Sequence, residues 1–193
     1  MVGRDLLGRL LIRKVRGATL VGRIVECEAY QEDDPASHSY RGRTTRTAVM
    51  FGPAGRLYVY FTYGMHYCMN VVTGEDGEGS AVLLRAVEPL EGLDWMSRRR
   101  GVSDPRLLCS GPARLTQAYG IARAHNGMDL VPGSDLFVAP GRPVPDRLVG
   151  EGPRIGITTG TERVWRYFEL GTPFVSRPGA GRPGASGRGR RTG

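Results

Sequence analysis

The architecture of this chain depends on the stretch Leu57-Tyr-Val-Tyr-Phe-Thr-Tyr-Gly-Met-His-Tyr-Cys-Met-Asn70, which contains a dense group of aromatic residues. Alternating aromatic and β-branched residues from Leu57 to Phe61 predict a strand. Tyr63-Gly64 predicts a hairpin tip, because glycine tolerates the positive φ that tight hairpin turns require. The chain then returns as a second strand from His66 to Val72. The sequence leaves two interpretations of these tyrosines open. They either pack within a core sheet, which this stretch alone favours, or form a stacking surface for a planar ligand with Tyr63 projecting from the tip.

The length and composition restrict the class of protein. A chain of 193 residues supports one domain with a hydrophobic core, or at most two small domains. No run of 18 apolar residues occurs, so no membrane contact is predicted. The N-terminus lacks the apolar region of a signal peptide, and we therefore expect a cytoplasmic protein. Cys27, Cys68 and Cys109 form no CxxC pair, which predicts packed thiols.

The net charge of +8 is unevenly distributed along the chain. Residues 177–193 contain five arginines and no acidic residue, so this segment carries +5 and residues 1–176 carry +3. The charge of the body is therefore a weak argument for nucleic-acid binding. From Pro178 onward the chain is mostly Gly, Arg, Pro, Ser and Ala, which predicts a disordered tail (177–193) after a folded domain (1–176).

Two patterns predict the mixture of elements. The spacing of apolar residues predicts a helix over 5–11 that gives way to a strand near 11–15. A long strand predicted over 19–30 places Glu26, Glu28 and Tyr30 on one face and Val25, Cys27 and Ala29 on the other. The further predictions are strands at 81–87, 136–139, 155–158, 165–168 and 174–175, and helices at 89–99 and 112–119. Hairpins with scattered helices indicate the α+β class.

Three groups of residues and one isolated lysine are candidates for chemistry. Glu28 beside Tyr30 could act as a general base with Arg85 as its partner, although the residues alone favour a structural ion pair. The polar loop 31–47 is either a solvated loop or a phosphate-contacting loop, and the residues leave both readings open. His38, His66 and Cys68 lack the spacing of a zinc site, so no metal is predicted. Lys14, the only lysine, is too isolated to predict Schiff-base chemistry.

Longer motifs follow one another over nearly all of residues 5–176. They are Asp5-Leu-Leu-Gly8, Arg23-Ile-Val-Glu-Cys-Glu-Ala-Tyr30, Asp34-Pro-Ala-Ser-His38, Met50-Phe-Gly-Pro53, Tyr58-Val-Tyr-Phe-Thr-Tyr-Gly-Met65, Cys68-Met-Asn70, Val82-Leu-Leu-Arg-Ala-Val-Glu-Pro-Leu-Glu-Gly92, Cys109-Ser-Gly-Pro112 and Pro153-Arg-Ile-Gly156. In this order they resemble the alkyladenine (3-methyladenine) DNA glycosylase family.

The resemblance implies a single domain with a curved antiparallel sheet, surrounding helices and a protruding β-hairpin that enters the minor groove. The implied activity is that of a monofunctional glycosylase in base-excision repair, which removes alkylated or deaminated purines and leaves an abasic site. The implied partner is double-stranded DNA containing damaged purines. We expect a monomer without metal or cofactor, associated with the nucleoid if the source is bacterial.

The resemblance also implies roles for particular residues. Glu28 would be the general base that activates a water, and Arg85 and the backbone carbonyl group near Ile155 would help to hold that water. Tyr63 would fill the gap left by the flipped nucleotide, as a stacked duplex requires. Three further residues would line the pocket and stack on the purine, namely Tyr30, His38 and Tyr60. Asn70 would lie at the pocket floor and disfavour the exocyclic amine of guanine.

Two rival functions and one departure from the family pattern remain. A damaged-base binding protein without catalysis would not need Glu28 opposite Arg85. A hydrolase of free nucleosides would not need a projecting Tyr63 or an arginine-rich loop. The family commonly has Pro and Asn where this chain has Thr45 and Thr47, so we expect a different conformation in the loop that leads to the pocket.

Overall fold

The computed structural model describes residues 2–176, which form one antiparallel sheet with helices packed against it. The prediction of an α+β domain is confirmed. In this part of the chain the strands are β1 (Leu10–Val15), β2 (Ala18–Tyr30), β3 (Leu57–Thr62), β4 (His66–Val72), β5 (Ala81–Glu91), β6 (Leu136–Ala139), β7 (Val149–Gly152) and β8 (Arg166–Glu169). The α-helices are α1 (Val2–Asp5), α2 (Leu93–Arg100), α3 (Pro105–Leu108) and α4 (Pro112–Tyr119), and short 3₁₀ turns cover Ala48–Phe51, Arg123–His125 and Asp146–Leu148.

The long strand β2 organises the sheet. The strand order is β3-β4-β5-β2-β1-β6, and β5 runs along one edge of β2. The other edge of β2 is shared, because its first half pairs with β1 and residues Glu26–Glu28 pair with β8. β7 then pairs with β8. The point at which β2 changes partners is therefore also the point at which its acidic residues begin.

A β-bulge interrupts β2 at this point. The register against β5 shifts between Ile24 and Glu26, so that Val25 has no partner across the ladder. Leu20 and Ile24 pack into the main hydrophobic cluster before the bulge, whereas Cys27 and Ala29 do so after it. The predicted alternation of side chains between the two faces of β2 holds from Glu26 to Tyr30. It is wrong for Val25, because this extra residue interrupts the alternation at the bulge.

The helices cover the core face of the sheet. Leu115, Ala118 and Tyr119 of α4 are buried in the main cluster together with Met96 of α2. The hydroxyl group of Tyr119 donates to the carbonyl oxygen of Leu11 at 3.2 Å. A Cβ atom at Gly22 would lie 2.5 Å from that hydroxyl group, so only glycine allows α4 to approach β2 this closely. All three cysteines are buried and unpaired, as predicted.

Several predicted elements are corrected by the structure. The helix expected over 5–11 is the short α1, and Asp5 ends it; the chain then turns at Leu6–Gly8 and enters β1. The helix expected from Pro89 begins at Leu93, because β5 continues to Glu91 along the edge of β2. The segments 155–158 and 174–175 are not strands. Neither α3 nor β7 was predicted. The predicted disordered tail lies outside the described residues.

Candidate active site

The bulge in β2 presents two carboxylates to one arginine of β5. Glu26 and Glu28 lie on the face of β2 opposite Cys27, and neither side chain has exposed surface. Arg85 contacts both of them, since its Nε is 3.1 Å from Glu26 Oε1 and its Nη1 is 3.2 Å from Glu28 Oε2. The contact expected between Glu28 and Arg85 is therefore present, and Glu26 joins it.

Three donors surround Glu28. The hydroxyl group of Tyr30 donates to Oε2 at 2.9 Å, and Arg85 Nη1 reaches the same oxygen. The backbone N–H of Ile155 donates to Oε1 at 2.7 Å. The contact made by Ile155 is thus through its N–H, and the role of a carbonyl group near it in holding a water stays a prediction.

The charges of this cluster shift the pKa values of its members. Burial by itself would lower the pKa of Arg85, but the carboxylates of Glu28 and Glu26 raise it above the ordinary value. Burial and then the charge of Glu28 raise the pKa of the Tyr30 hydroxyl group. Both side chains consequently remain hydrogen-bond donors to Glu28 throughout the neutral range.

A cavity of about 230 Å³ is lined by Tyr30 and Arg85, the two side chains that contact Glu28 Oε2. Seven of the predicted site residues line it: Tyr30, His38, Tyr60, Tyr63, Asn70, Arg85 and Ile155. Further lining residues are Ala36, Ser37, Met50, Thr62, Cys68, Leu83, Pro112, Gly156 and Ile157. Glu28 is not among the lining residues; it lies behind Tyr30, Arg85 and Ile155, which contact it and line the cavity. The structure therefore brings together the predicted site residues, which come from β2, β3, β4, β5, the 31–47 loop and the segment after β7.

Aromatic rings form one wall of the cavity. The rings of His38 and Tyr60 meet edge to face at 4.4 Å, and His38 Nδ1 lies 3.1 Å from the Tyr58 hydroxyl oxygen. Desolvation against these rings, followed by the charge of Arg46, lowers the pKa of His38 to about 4. The imidazole is therefore neutral at neutral pH and adds no positive charge to the cavity.

Asn70 is fixed by its neighbour across the hairpin. Its Nδ2 donates to the backbone carbonyl oxygen of Tyr58 at 3.1 Å, and the side chain is buried. This bond uses part of the donor capacity of the amide and holds its orientation. The amide therefore lies at the cavity in one defined position.

Tyr63 projects from the tip of the β3–β4 hairpin with 80% of its surface exposed. Tyr63 and Gly64 both have positive φ, of 51° and 66°, and the N–H of Met65 donates to the carbonyl oxygen of Thr62 at 3.2 Å. Tyr63 is the one non-glycine residue with positive φ in the part of the chain that is described. A bulky residue is disfavoured in this conformation, so the turn retains an exposed tyrosine at a local cost.

The loop before the cavity is closed by threonines. Thr47 is buried, and its Oγ1 accepts from the backbone N–H of Thr44 at 2.8 Å and contacts Gly42 O at 3.3 Å. Arg46, beside it, lies 5.9 Å from the centre of the Tyr60 ring. The loop therefore places one arginine near Tyr60 of the cavity wall, and a phosphate contact by this loop stays a prediction.

The sequence reasoning did not identify three residues that support the site. Asp34 and Arg154 form a buried ion pair next to Tyr30, and Ser176 contacts both Glu26 and Arg85. Glu26 and Glu28 are two residues apart on one strand, and this spacing predicted that the two carboxylates share a face. Nothing local marks Ser176, because its partners are far away in the sequence.

Three further predictions concern the lysine, metal ligands and membrane spans. Lys14 lines a different groove, together with Arg13, Arg16 and His125. Within residues 2–176, no three acidic, histidine or cysteine side chains are grouped so that they could hold a metal ion. None of the helices described here has the length and apolar character needed to cross a bilayer.

Comparison with known proteins gives consistent matches over nearly the whole chain. The family model described as methylpurine-DNA glycosylase matches residues 1–173. A relative from Carboxydothermus hydrogenoformans is 48% identical over 92% of this chain and 93% of its own length. Relatives from Chlorobaculum tepidum and Methanoculleus marisnigri are 46% and 50% identical, over 88% and 92% of their lengths. All three are named as 3-methyladenine DNA glycosylases.

Proposed function

Because this chain belongs to the methylpurine-DNA glycosylase family, we propose that Glu28 activates the water with which it hydrolyses the N-glycosidic bond of damaged purines. Family membership makes the chain a DNA glycosylase of base-excision repair, an enzyme that cleaves N-glycosyl bonds in DNA. The proposal adds the catalytic residue, the substrates and the way in which they bind.

The arrangement of donors around Glu28 is the observation that carries the proposal. A carboxylate offers about four lone-pair positions. Among residues 2–176, the hydroxyl group of Tyr30 donates to Oε2, which also lies 3.2 Å from Arg85 Nη1, and the N–H of Ile155 occupies one position of Oε1. One position of Oε1 is left for the proton of a water. The three partners of Glu28 also line the cavity, which a purely structural ion pair would not require.

The proposed reaction has one bond-breaking and one bond-forming step at the sugar. The bond between C1′ and the purine nitrogen breaks, and its electron pair leaves with the base. The water oxygen bonds to C1′, and Glu28 accepts the water proton. The same negative charge stabilises the positive charge that develops on the sugar. An N-alkylated purine is cationic before cleavage and leaves as a neutral base, so it needs no proton from the enzyme.

The cavity supports a preference for such cationic leaving groups. A flipped purine would stack between the rings of Tyr30, His38 and Tyr60, as expected for enzymes that act on an extruded base. The neutral imidazole of His38 supplies no positive charge to oppose a cationic base. Deaminated purines would have to be protonated by another donor. We therefore propose that 3-methyladenine and similar bases are released faster than hypoxanthine.

Tyr63 of the β3–β4 hairpin and the side-chain amide of Asn70 complete the proposed site. The exposed Tyr63 would enter the space in the duplex that the flipped nucleotide leaves. Asn70 at the cavity would disfavour the exocyclic amine of guanine. With Lys14 outside the cavity, we propose a monofunctional enzyme that leaves the abasic sugar uncut. We further propose that it acts on double-stranded DNA as a monomer in the cytoplasm.

The test is base release by Glu28→Gln from duplexes that each contain one 3-methyladenine, 7-methylguanine, hypoxanthine or ethenoadenine. We expect release to fall at least about 100-fold, the contribution typical of a general base, with binding to the damaged duplex retained. Glu88→Gln is the matched control, because Glu88 pairs with Arg23 outside the cavity. Release at the wild-type rate by Glu28→Gln would refute the proposal. Strand breaks only after hot alkali support monofunctional action, and breaks without alkali would contradict it.

A further inference from the structure

Glu26 is the second buried carboxylate of the cluster and has no part in the proposed reaction. In the described part of the chain it receives donors on both oxygens: Arg85 Nε at 3.1 Å, Arg166 Nε at 2.7 Å, and the side-chain and backbone donors of Ser176. The Ser176 hydroxyl group donates at 2.8 Å. With two arginines beside the two carboxylates, the cluster has no excess charge to bury. Three of these donors meet Oε1, and the backbone N–H of Ser176 meets Oε2, so Glu26 is tied to Arg85, Arg166 and Ser176 at once.

Arg85 is held at all of its nitrogens. Nε contacts Glu26 and also lies 3.3 Å from Ser176 Oγ, and Nη2 lies 3.2 Å from the same hydroxyl oxygen. Only Nη1 is directed at Glu28. The guanidinium therefore meets Glu28 through one nitrogen, although the fork of an arginine is well suited to two parallel bonds with a carboxylate.

We propose that Glu26 and Ser176 are positioning residues for base release, because together they hold Arg85 to this single contact with Glu28. This inference rests on the proposed role of Glu28 as the base. Without the contacts of Ser176, the guanidinium is free to turn and bind both oxygens of Glu28. A second bond would occupy the lone-pair position that the water requires. The clasp, defined here as Glu26, Arg85 and Ser176, thus protects the acceptor capacity of the base.

The position of Ser176 gives the C-terminal segment a role in the site. The segment Gly171–Ser176 follows β8, and Ser176 lies 150 residues from Glu26 in the sequence but is 3% exposed against it. Pro173, Val175 and Ser176 line a groove that shares Arg85 and Ile155 with the cavity. The last residues that the structure describes therefore lie against Glu26 and Arg85.

The first test is Ser176→Ala, with Thr172→Ala as the matched control. Thr172 lies on the same segment, and its hydroxyl oxygen contacts the backbone N–H of Phe174 at 3.4 Å. Single-turnover release of 3-methyladenine at saturating enzyme reports the chemical step, and titration of the damaged duplex reports binding. For Ser176→Ala we expect a rate lower by about tenfold with affinity within about twofold, since small misplacements of a catalytic group reduce rate more than binding. Thr172→Ala should retain the wild-type rate.

Two more variants decide between positioning and simple folding effects. Ser176→Thr keeps the hydroxyl group and should recover most of the lost rate. Glu26→Gln keeps the shape but loses the charge that holds Arg85, and it should again reduce rate rather than affinity. A wild-type rate in both Ser176→Ala and Glu26→Gln would overturn the clasp, as would an equal loss of rate in Thr172→Ala. If Glu28→Gln itself released bases normally, the role of Glu28 would fail instead, so the two failures are distinguishable.

Discussion

Asp34 and Arg154 form an ion pair in which neither side chain has exposed surface. Arg154 Nη2 donates to Asp34 Oδ1 at 2.9 Å, and Nη1 donates to the backbone carbonyl oxygen of Ala29 at 3.0 Å. The guanidinium also lies 4.6 Å from the centre of the Tyr30 ring. This pair joins the loop that carries His38 to the segment that carries Ile155, so two walls of the cavity depend on it.

Asp34→Asn should strongly destabilise the fold. It leaves the Arg154 charge buried without a charged partner, which typically costs about 3–5 kcal/mol. Urea denaturation should show a lower midpoint with little change in slope. Asp33→Asn is the matched control, because the pair of Asp33 and Arg163 lies at the surface and should contribute little. An equal effect of both substitutions would show that burial of the pair is not what matters.

Tyr63→Asn should separate stability from base release. Asparagine tolerates the positive φ of this position better than tyrosine, and the Tyr63 ring is largely exposed, so the melting temperature should stay equal or rise. Release from damaged duplex should fall roughly tenfold, the order of one lost stacking contact. Tyr63→Phe keeps the ring and should release bases like the wild type. Normal release by Tyr63→Asn would exclude the ring as a filler of the duplex.

The pKa of His38 predicts a pH dependence of stability with a definite sign. Its value in the folded protein, about 4, lies below the ordinary value of 6.5. Between these values the unfolded chain binds a proton that the folded protein does not, so stability falls as the pH falls from 6.5 to 4 and is fully present above 6.5. As the pH falls from 6.5 to 4, the melting temperature of His38→Gln should therefore rise relative to that of the wild type. A constant difference between the two proteins would contradict the shifted pKa.

The pKa of His38 can also be measured directly. The signal of the ring proton on Cε1, identified by its absence in His38→Gln, should titrate near pH 4 in the wild-type protein. Arg46→Gln should raise this midpoint, because the charge of Arg46 is the second cause of the shift after desolvation. A midpoint that does not move would assign the shift to desolvation alone.

Deletion of residues 177–193 should weaken non-specific DNA binding mainly at low salt. This segment carries five arginines, and its removal should reduce the steepness of log K against log salt by up to about 4.5. A full-length variant with these arginines changed to glutamine separates charge from length. Single-turnover release at saturating enzyme should not change. An unaltered slope would show that the segment does not contact DNA.

Local pattern was sufficient to predict much of this protein. The aromatic alternation and Tyr63-Gly64 predicted the hairpin and its projecting tyrosine, and period two predicted that Glu28 and Tyr30 share a face. These features depend on neighbouring residues, since turn chemistry and strand alternation act over a few positions. The residues alone also predicted Arg85 as the partner of Glu28. The family resemblance then identified Ile155, His38 and Asn70, and the structure places all four at one cavity.

Only the tertiary structure decided the rest. The bulge at Val25 depends on how β2 pairs with β5 and β8, and no turn residue in β2 announces it. The burial of Asp34 against Arg154 and the contact of Ser176 with Glu26 join positions more than a hundred residues apart. Such pairs arise when the sheet and its connections close on one another, because a buried charge must find a partner wherever the fold provides one. The strands and the faces of their residues could therefore be predicted from local sequence. The long-range contacts that hold Glu28 and Arg85 in position could not.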